Sequence, residues 1–104
     1  MGEDQRVHQR HAVITEVRYA ADGVSHWGRL SDLSLGGVFI DTINPLEMGV
    51  SLTFEFVLPG DSSGKPISGE GVVAWHQPMM GMGIRFTRLT PEDQERIRRC
   101  ICAP

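Results

Sequence analysis

The sequence predicts an all-β domain with one helix, a six-stranded antiparallel barrel capped by a C-terminal α-helix. Three observations carry this. Apolar and polar residues alternate in six short stretches spread over about 75 residues. Turn-forming residues stand between most of them, as in Ala21-Asp22-Gly23 and Pro59-Gly60-Asp61-Ser62-Ser63-Gly64. A strong helix-start signal occurs once, near the end of the chain. Six evenly spaced strands favour closure, because a closed barrel leaves no exposed edge.

Taken in order, Val13, Thr15, Val17 and Tyr19 alternate with Ile14, Glu16 and Arg18, the pattern of a first strand. Val24–Ser34 forms a second strand running into Gly36-Gly37, and Val38–Thr42 a third. Asn44-Pro45 opens a loop through Gly49. Leu52, Phe54, Phe56 and Leu58 alternate strictly with Thr53, Glu55 and Val57, the clearest strand in the chain. Ile67–His76 is a long fifth strand in which Gly69 and Gly71 suggest a bend or bulge. Gln77–Met80 turns, and Gly81–Phe86 returns as the sixth strand. Thr90 is a natural N-cap, Pro91 suits the first helical position, and Glu92 and Asp93 complement the helix N-terminus. Ile97 and Ile101, four apart, share the face expected to pack on the barrel. Residues 1–11 are polar and aperiodic and read as a flexible arm, leaving residues 12–104 as a single barrel domain.

Composition narrows the function. The net charge is −3, which argues against general binding to nucleic acid or a membrane surface. No apolar run nears the roughly 18 residues of a membrane span, and the N-terminus has no apolar core of a secretory signal. Lys65 is the only lysine, so the positive charge comes almost wholly as planar guanidinium forks. Cys100 and Cys102 read as reduced cytoplasmic thiols. His8 and His11 are too few for a zinc site and read as solvated arm residues. His26 and His76 fall in strands, as partly exposed surface. Met48, Met79, Met80 and Met82 read as core filler and loop contacts. No nucleophile-elbow or P-loop spacing is present, and no histidine has a local reason to reach Ser34, so no catalytic group and no metal site is assigned.

Anion recognition is better supported. Asp32 and Ser34 are two apart and leave the same face of an extended strand. Gly36-Gly37 would allow a turn closed to other residues and close approach of a ligand to backbone N–H groups. A turn closed by Asp32 and Ser34 alone is the plainer alternative. Arg6 and Arg10 supply two forks that can grip phosphate or the O6/N7 edge of guanine. The opposite edge of guanine donates hydrogen bonds and suits a carboxylate such as Asp32. The two halves together describe a pocket for an anionic guanine nucleotide.

With these residues in hand, the chain resembles the PilZ domain, a bacterial receptor for cyclic di-GMP. The family pattern R-x-x-x-R is matched by Arg6-Val7-His8-Gln9-Arg10, and D/N-x-S-x-x-G by Asp32-Leu33-Ser34-Leu35-Gly36-Gly37. Gly71–Trp75, Gly81–Phe86 and the helix opening at Thr90–Glu95 also resemble the family. The resemblance implies that cyclic di-GMP binds on the outside of the barrel with the arm folded over it. It assigns phosphate and guanine contacts to Arg6 and Arg10, the guanine edge to Asp32 and Ser34, and the close backbone approach to Gly37. Gln5, Gly36 and Trp75 are peripheral candidates; Trp75 either borders the pocket or anchors the barrel. Gln5 stands where many members carry another arginine, which would weaken binding or favour one ligand over a stacked pair.

The expected function is therefore a non-catalytic, cytoplasmic cyclic di-GMP receptor without a further cofactor, relaying ligand level to a protein partner. The alternative is a PilZ-type interaction module of a motility or secretion assembly that binds no nucleotide. A barrel for single-stranded nucleic acid would need a basic groove with stacking aromatics, which this acidic chain with few aromatics lacks.

Overall fold

The computed structural model describes residues 11–101. Six strands are followed by one helix: β1 (His11–Ala21), β2 (Val24–Leu33), β3 (Gly37–Asp41), β4 (Ser51–Phe56), β5 (Ile67–Gln77), β6 (Gly81–Arg88) and α1 (Pro91–Ile101). They close into an antiparallel barrel in the order β1-β2-β3-β6-β5-β4. The β1–β4 ladder, Val17 opposite Phe56 and Tyr19 opposite Phe54, seals the ring. The strand at His11 starts inside the segment expected to be an arm, because His11 still pairs with Leu33 of β2.

The alternation read from the sequence becomes the core. Val17 and Tyr19 of β1 face inward with Leu52, Phe54 and Phe56 of β4, and Leu58 just beyond β4 joins them. In β2 the inward residues are Leu30 and Leu33, three apart rather than two. A register shift between Leu30 and Asp32 against β3 accounts for this, since a bulge lets a strand return to the same face after an odd step. β5 shifts register at Glu70/Gly71, near the glycines expected to bend it, and again between Val73 and Trp75. The β1–β2 hairpin turns on Asp22 and Gly23, with φ of 53° and 78°. Two left-handed residues in a two-residue loop match the twist of the flanking strands.

The helix starts as its cap foretells. Thr90 Oγ1 accepts the Asp93 N–H at 3.1 Å, and the Thr90 carbonyl accepts the Gln94 N–H at 2.9 Å. Ile97 and Ile101 are buried against the barrel end. Arg96, nearly buried, ties the loop between β4 and β5 to the helix through Asp61, Asp93 at 3.0 Å, Ser63 and the Lys65 carbonyl. Of these four methionines, only Met82 fills the core; Met48, Met79 and Met80 are exposed at loops. No helix among the described residues is long and apolar enough to cross a membrane.

Candidate ligand-binding site

The turn from β2 to β3 is locked by its serine. Ser34 is buried, and its Oγ accepts the N–H groups of Gly36 and Gly37, both at 3.2 Å. The Ser34 N–H donates to the Gly37 carbonyl at 2.9 Å. These glycine N–H groups are thus engaged within the turn, where the sequence suggested bare donors. Neither Gly36 nor Gly37 has a positive φ, so freedom to turn is not why glycine is needed. The reason at Gly37 is space: an added Cβ would stand 1.9 Å from the Ile84 carbonyl oxygen of β6. The Gly36 carbonyl accepts the Phe86 N–H at 2.9 Å, pinning the turn to β6 from the other side.

This turn forms one wall of a concavity of about 980 Å³ on the outside of the barrel. Ligand pockets commonly enclose roughly 300–1,000 Å³, so the volume suits a large ligand. Ser34, Gly36 and Gly37 line it together with Trp75 and Arg85. Asp32 lies two residues before Ser34, half-buried, opposite Phe39 and Ala12 in the ladders. Arg6, Arg10 and Gln5 lie outside the described residues.

Trp75 packs on the barrel wall and also lines the concavity. Its indole covers Gly83, where an added Cβ would meet Nε1 at 2.5 Å, yet 43% of the residue stays exposed toward the concavity. Its ring lies 5.3 Å from that of Phe39, centroid to centroid, which itself covers Gly81. Glycines at 81 and 83 thus leave a floor on which two aromatic rings lie side by side.

Arg85 is the residue that motif reasoning passed over. It stands opposite Gly37 in the β3–β6 ladder, is exposed, and enters no ion pair among the described residues. The signal was in the sequence: alternation along β6 buries Ile84 and so turns Arg85 outward beside the double glycine. Arg88, at the far side of the concavity, is paired with Glu70 at 3.7 Å. An exposed guanidinium next to an indole and a tight backbone turn can hold an anion at one edge of a stacked ring.

Among the described residues, no three His, Cys, Asp or Glu side chains come together as metal ligands. His76 Nδ1 lies 3.0 Å from the Leu46 carbonyl, and His26 stacks on Tyr19 at 5.1 Å. Cys100 is half-buried, and desolvation with the nearby Asp61 charge pushes its thiol pKa up, away from a reactive thiolate. Cys102 and His8 fall outside the described residues.

The model of the PilZ domain family matches residues 4–103. The chain belongs to the PilZ domain family. No curated protein sequence matches it. Among solved structures, it resembles the Bacillus subtilis inhibitor of motility MotI/DgrA, with a TM-score of 0.82 at 19% identity. That match covers 96% of this chain and 51% of the other, so the chain spans about half of that relative's length. The PilZ domain of Escherichia coli YcgR, solved with cyclic di-GMP, gives 0.75 at 19% identity and covers 96% of this chain and 91% of that one. Borreliella burgdorferi PlzA, also solved with cyclic di-GMP, gives 0.72 at 20% identity over 93% and 41%. At these identities the likeness establishes the PilZ fold.

Proposed function

We propose that this PilZ domain is a non-catalytic cytoplasmic receptor for cyclic di-GMP and relays ligand level to a protein partner. The observation that carries the reading is the convergence of the Ser34–Gly37 turn, Trp75 and Arg85 on one concavity of the outer wall. In the proposed mode the diester lies in that concavity, with a guanine against the Trp75 indole. Arg85 meets a phosphate from the β6 side. Arg6 and Arg10 close from the N-terminal side on phosphate and on the O6/N7 edge, and Asp32 accepts from the other guanine edge. Gln5 and Gly36 border the site. Two structures of related fold hold cyclic di-GMP, which supports this choice of ligand.

Calorimetric titration with cyclic di-GMP tests the reading. Arg6→Ala and Arg10→Ala are each expected to cost roughly 2–5 kcal/mol, the loss typical when one partner of a desolvated charge pair is removed. Unchanged affinity in both variants would take the arm out of the site. Asp32→Ala is expected to narrow the preference for cyclic di-GMP over cyclic di-AMP, and equal narrowing in a control far from the site would remove its base-edge role.

One observation favours a second reading, a PilZ-type interaction module that binds no nucleotide. The Ser34 hydroxyl and both glycine N–H groups are already engaged with one another in the turn. A motif serine used only to hold the fold fits a silent site. A folded protein that gives no heat with cyclic di-GMP selects this reading.

A further inference from the structure

The end of the barrel opposite α1 carries an apolar row that the fold does not use. The β2–β3 ladder places Arg29 opposite Asp41, and the β3–β6 ladder places Asp41 opposite Gly81. Two residues further toward that end stand Trp27 on β2, Ile43 in the bend after β3 and Met79 in the turn before β6. The ladder continues past the last strand residues, since the Thr42 N–H donates to the Met80 carbonyl at 3.0 Å. Trp27 is 67% exposed, Ile43 64% and Met79 73%. Soluble domains expose single apolar residues freely, but a row of three large ones at one end of the barrel marks a contact surface.

Met79 adds an independent sign. The Met80 N–H donates to the Gln77 carbonyl at 3.1 Å, closing a turn with Pro78 in second place and Met79 third, at φ 70°. That third position favours glycine or asparagine, because a Cβ is strained there. A methionine that is both strained and exposed contributes nothing to the fold. Unbranched, polarizable methionine side chains adapt well to a partner's surface, and tryptophan is the commonest anchor of such surfaces.

Charge selects the partner. Arg18, opposite Trp27, is held by Glu55 at 2.7 Å, and Arg29 is held by Asp41 at 2.8 Å. Glu16, opposite Arg29, and Glu47 in the loop after β3 are exposed and enter no ion pair among the described residues. The surroundings of the row are therefore acidic on balance. They repel anionic lipid headgroups and a second copy of the same surface, and attract a basic flank.

We infer that this rim, Trp27–Ile43–Met79 with Met80, docks a protein segment whose apolar face is flanked by Lys or Arg. The inference rests on the partner half of the proposed function and does not need the nucleotide half. The probe is a synthetic amphipathic helix of about 15 residues with a leucine face and lysine ends, compared with a twin bearing glutamate ends. The expected result is saturable binding of the lysine peptide to the full chain, at least about tenfold tighter than the glutamate twin. Trp27→Ala and Met79→Gly should each weaken it at least about tenfold, with cyclic di-GMP titrations like those of the parent. Met79→Gly should melt no lower than the parent, so its loss of binding cannot be a loss of fold. Absence of peptide binding up to about 1 mM, equal binding of the two peptides, or binding untouched by both substitutions overturns the inference. So does pelleting with anionic vesicles, or a concentration-dependent dimer that Trp27→Ala abolishes.

Discussion

Ser34 and Gly37 are motif residues whose surroundings show what they do for the fold. Ser34→Ala removes the acceptor of the half-buried Gly36 and Gly37 N–H groups. Leaving such groups unpaired costs about 1–3 kcal/mol, so a urea melt of the ligand-free variant should show a loss in that range. An unchanged midpoint would mean that the serine does not lock the turn. Gly37→Ala puts a Cβ on the Ile84 carbonyl, a backbone atom that cannot swing aside. Overpacking of this kind costs about 1–3 kcal/mol, and this contact belongs at or above the top of that range. The sequence singles out both residues, but of its two reasons for the glycines the special turn conformation does not hold, since neither has a positive φ. A glycine needed for space and one needed for a left-handed φ look alike as letters, and only the approach of β6 separates them. Arg85 is not legible for a related reason, because register with Gly37 and not a motif sets it beside the turn.

At the scale of elements, the helix is latched to the barrel by Arg96. Its side chain is 11% exposed, and it reaches Asp61, Asp93, Ser63 and the Lys65 carbonyl. The Arg96 hydrogen bond holds the Asp61 carboxyl below the usual carboxylate range, with Ser63 adding to it. Asp61 in turn raises the pKa of Arg96, which stays charged throughout. A carboxyl whose folded pKa is depressed stabilises the fold above its unfolded pKa of about 3.9 and ceases to do so as pH falls through the folded value. Stability should therefore be insensitive to this latch above about pH 5 and decline below about pH 4. Asp61→Asn should flatten the Asp61 part of that decline in acid melts; an identical acid profile would remove Asp61 from the linkage. Arg96→Ala should speed hydrogen exchange of the amides between Pro59 and Lys65 while those of β1 and β2 hold. The helix itself was legible, since cap, acidic first turn and Ile97/Ile101 spacing all sit close in sequence. The latch was not, because Asp61 and Arg96 lie 35 residues apart.

The whole molecule is a ring whose faces divide the work. Alternation in β1 and β4 was enough to foresee the inward set, and the prevention of free edges was enough to foresee closure. The bulges that let Leu30 and Leu33 share the core were not visible, since they depend on how three strands register together. On the proposed reading, the β3–β6–β5 wall holds the ligand, the far rim meets a protein, and α1 closes the remaining end. Amide and indole shifts followed by NMR as cyclic di-GMP is added test the central claim most directly. The result expected is saturable change at Ser34–Gly37, Arg85 and the Trp75 indole, with Trp27 and Met79 moving little. Saturation without change along that wall, or no change at all in the folded protein, would contradict it.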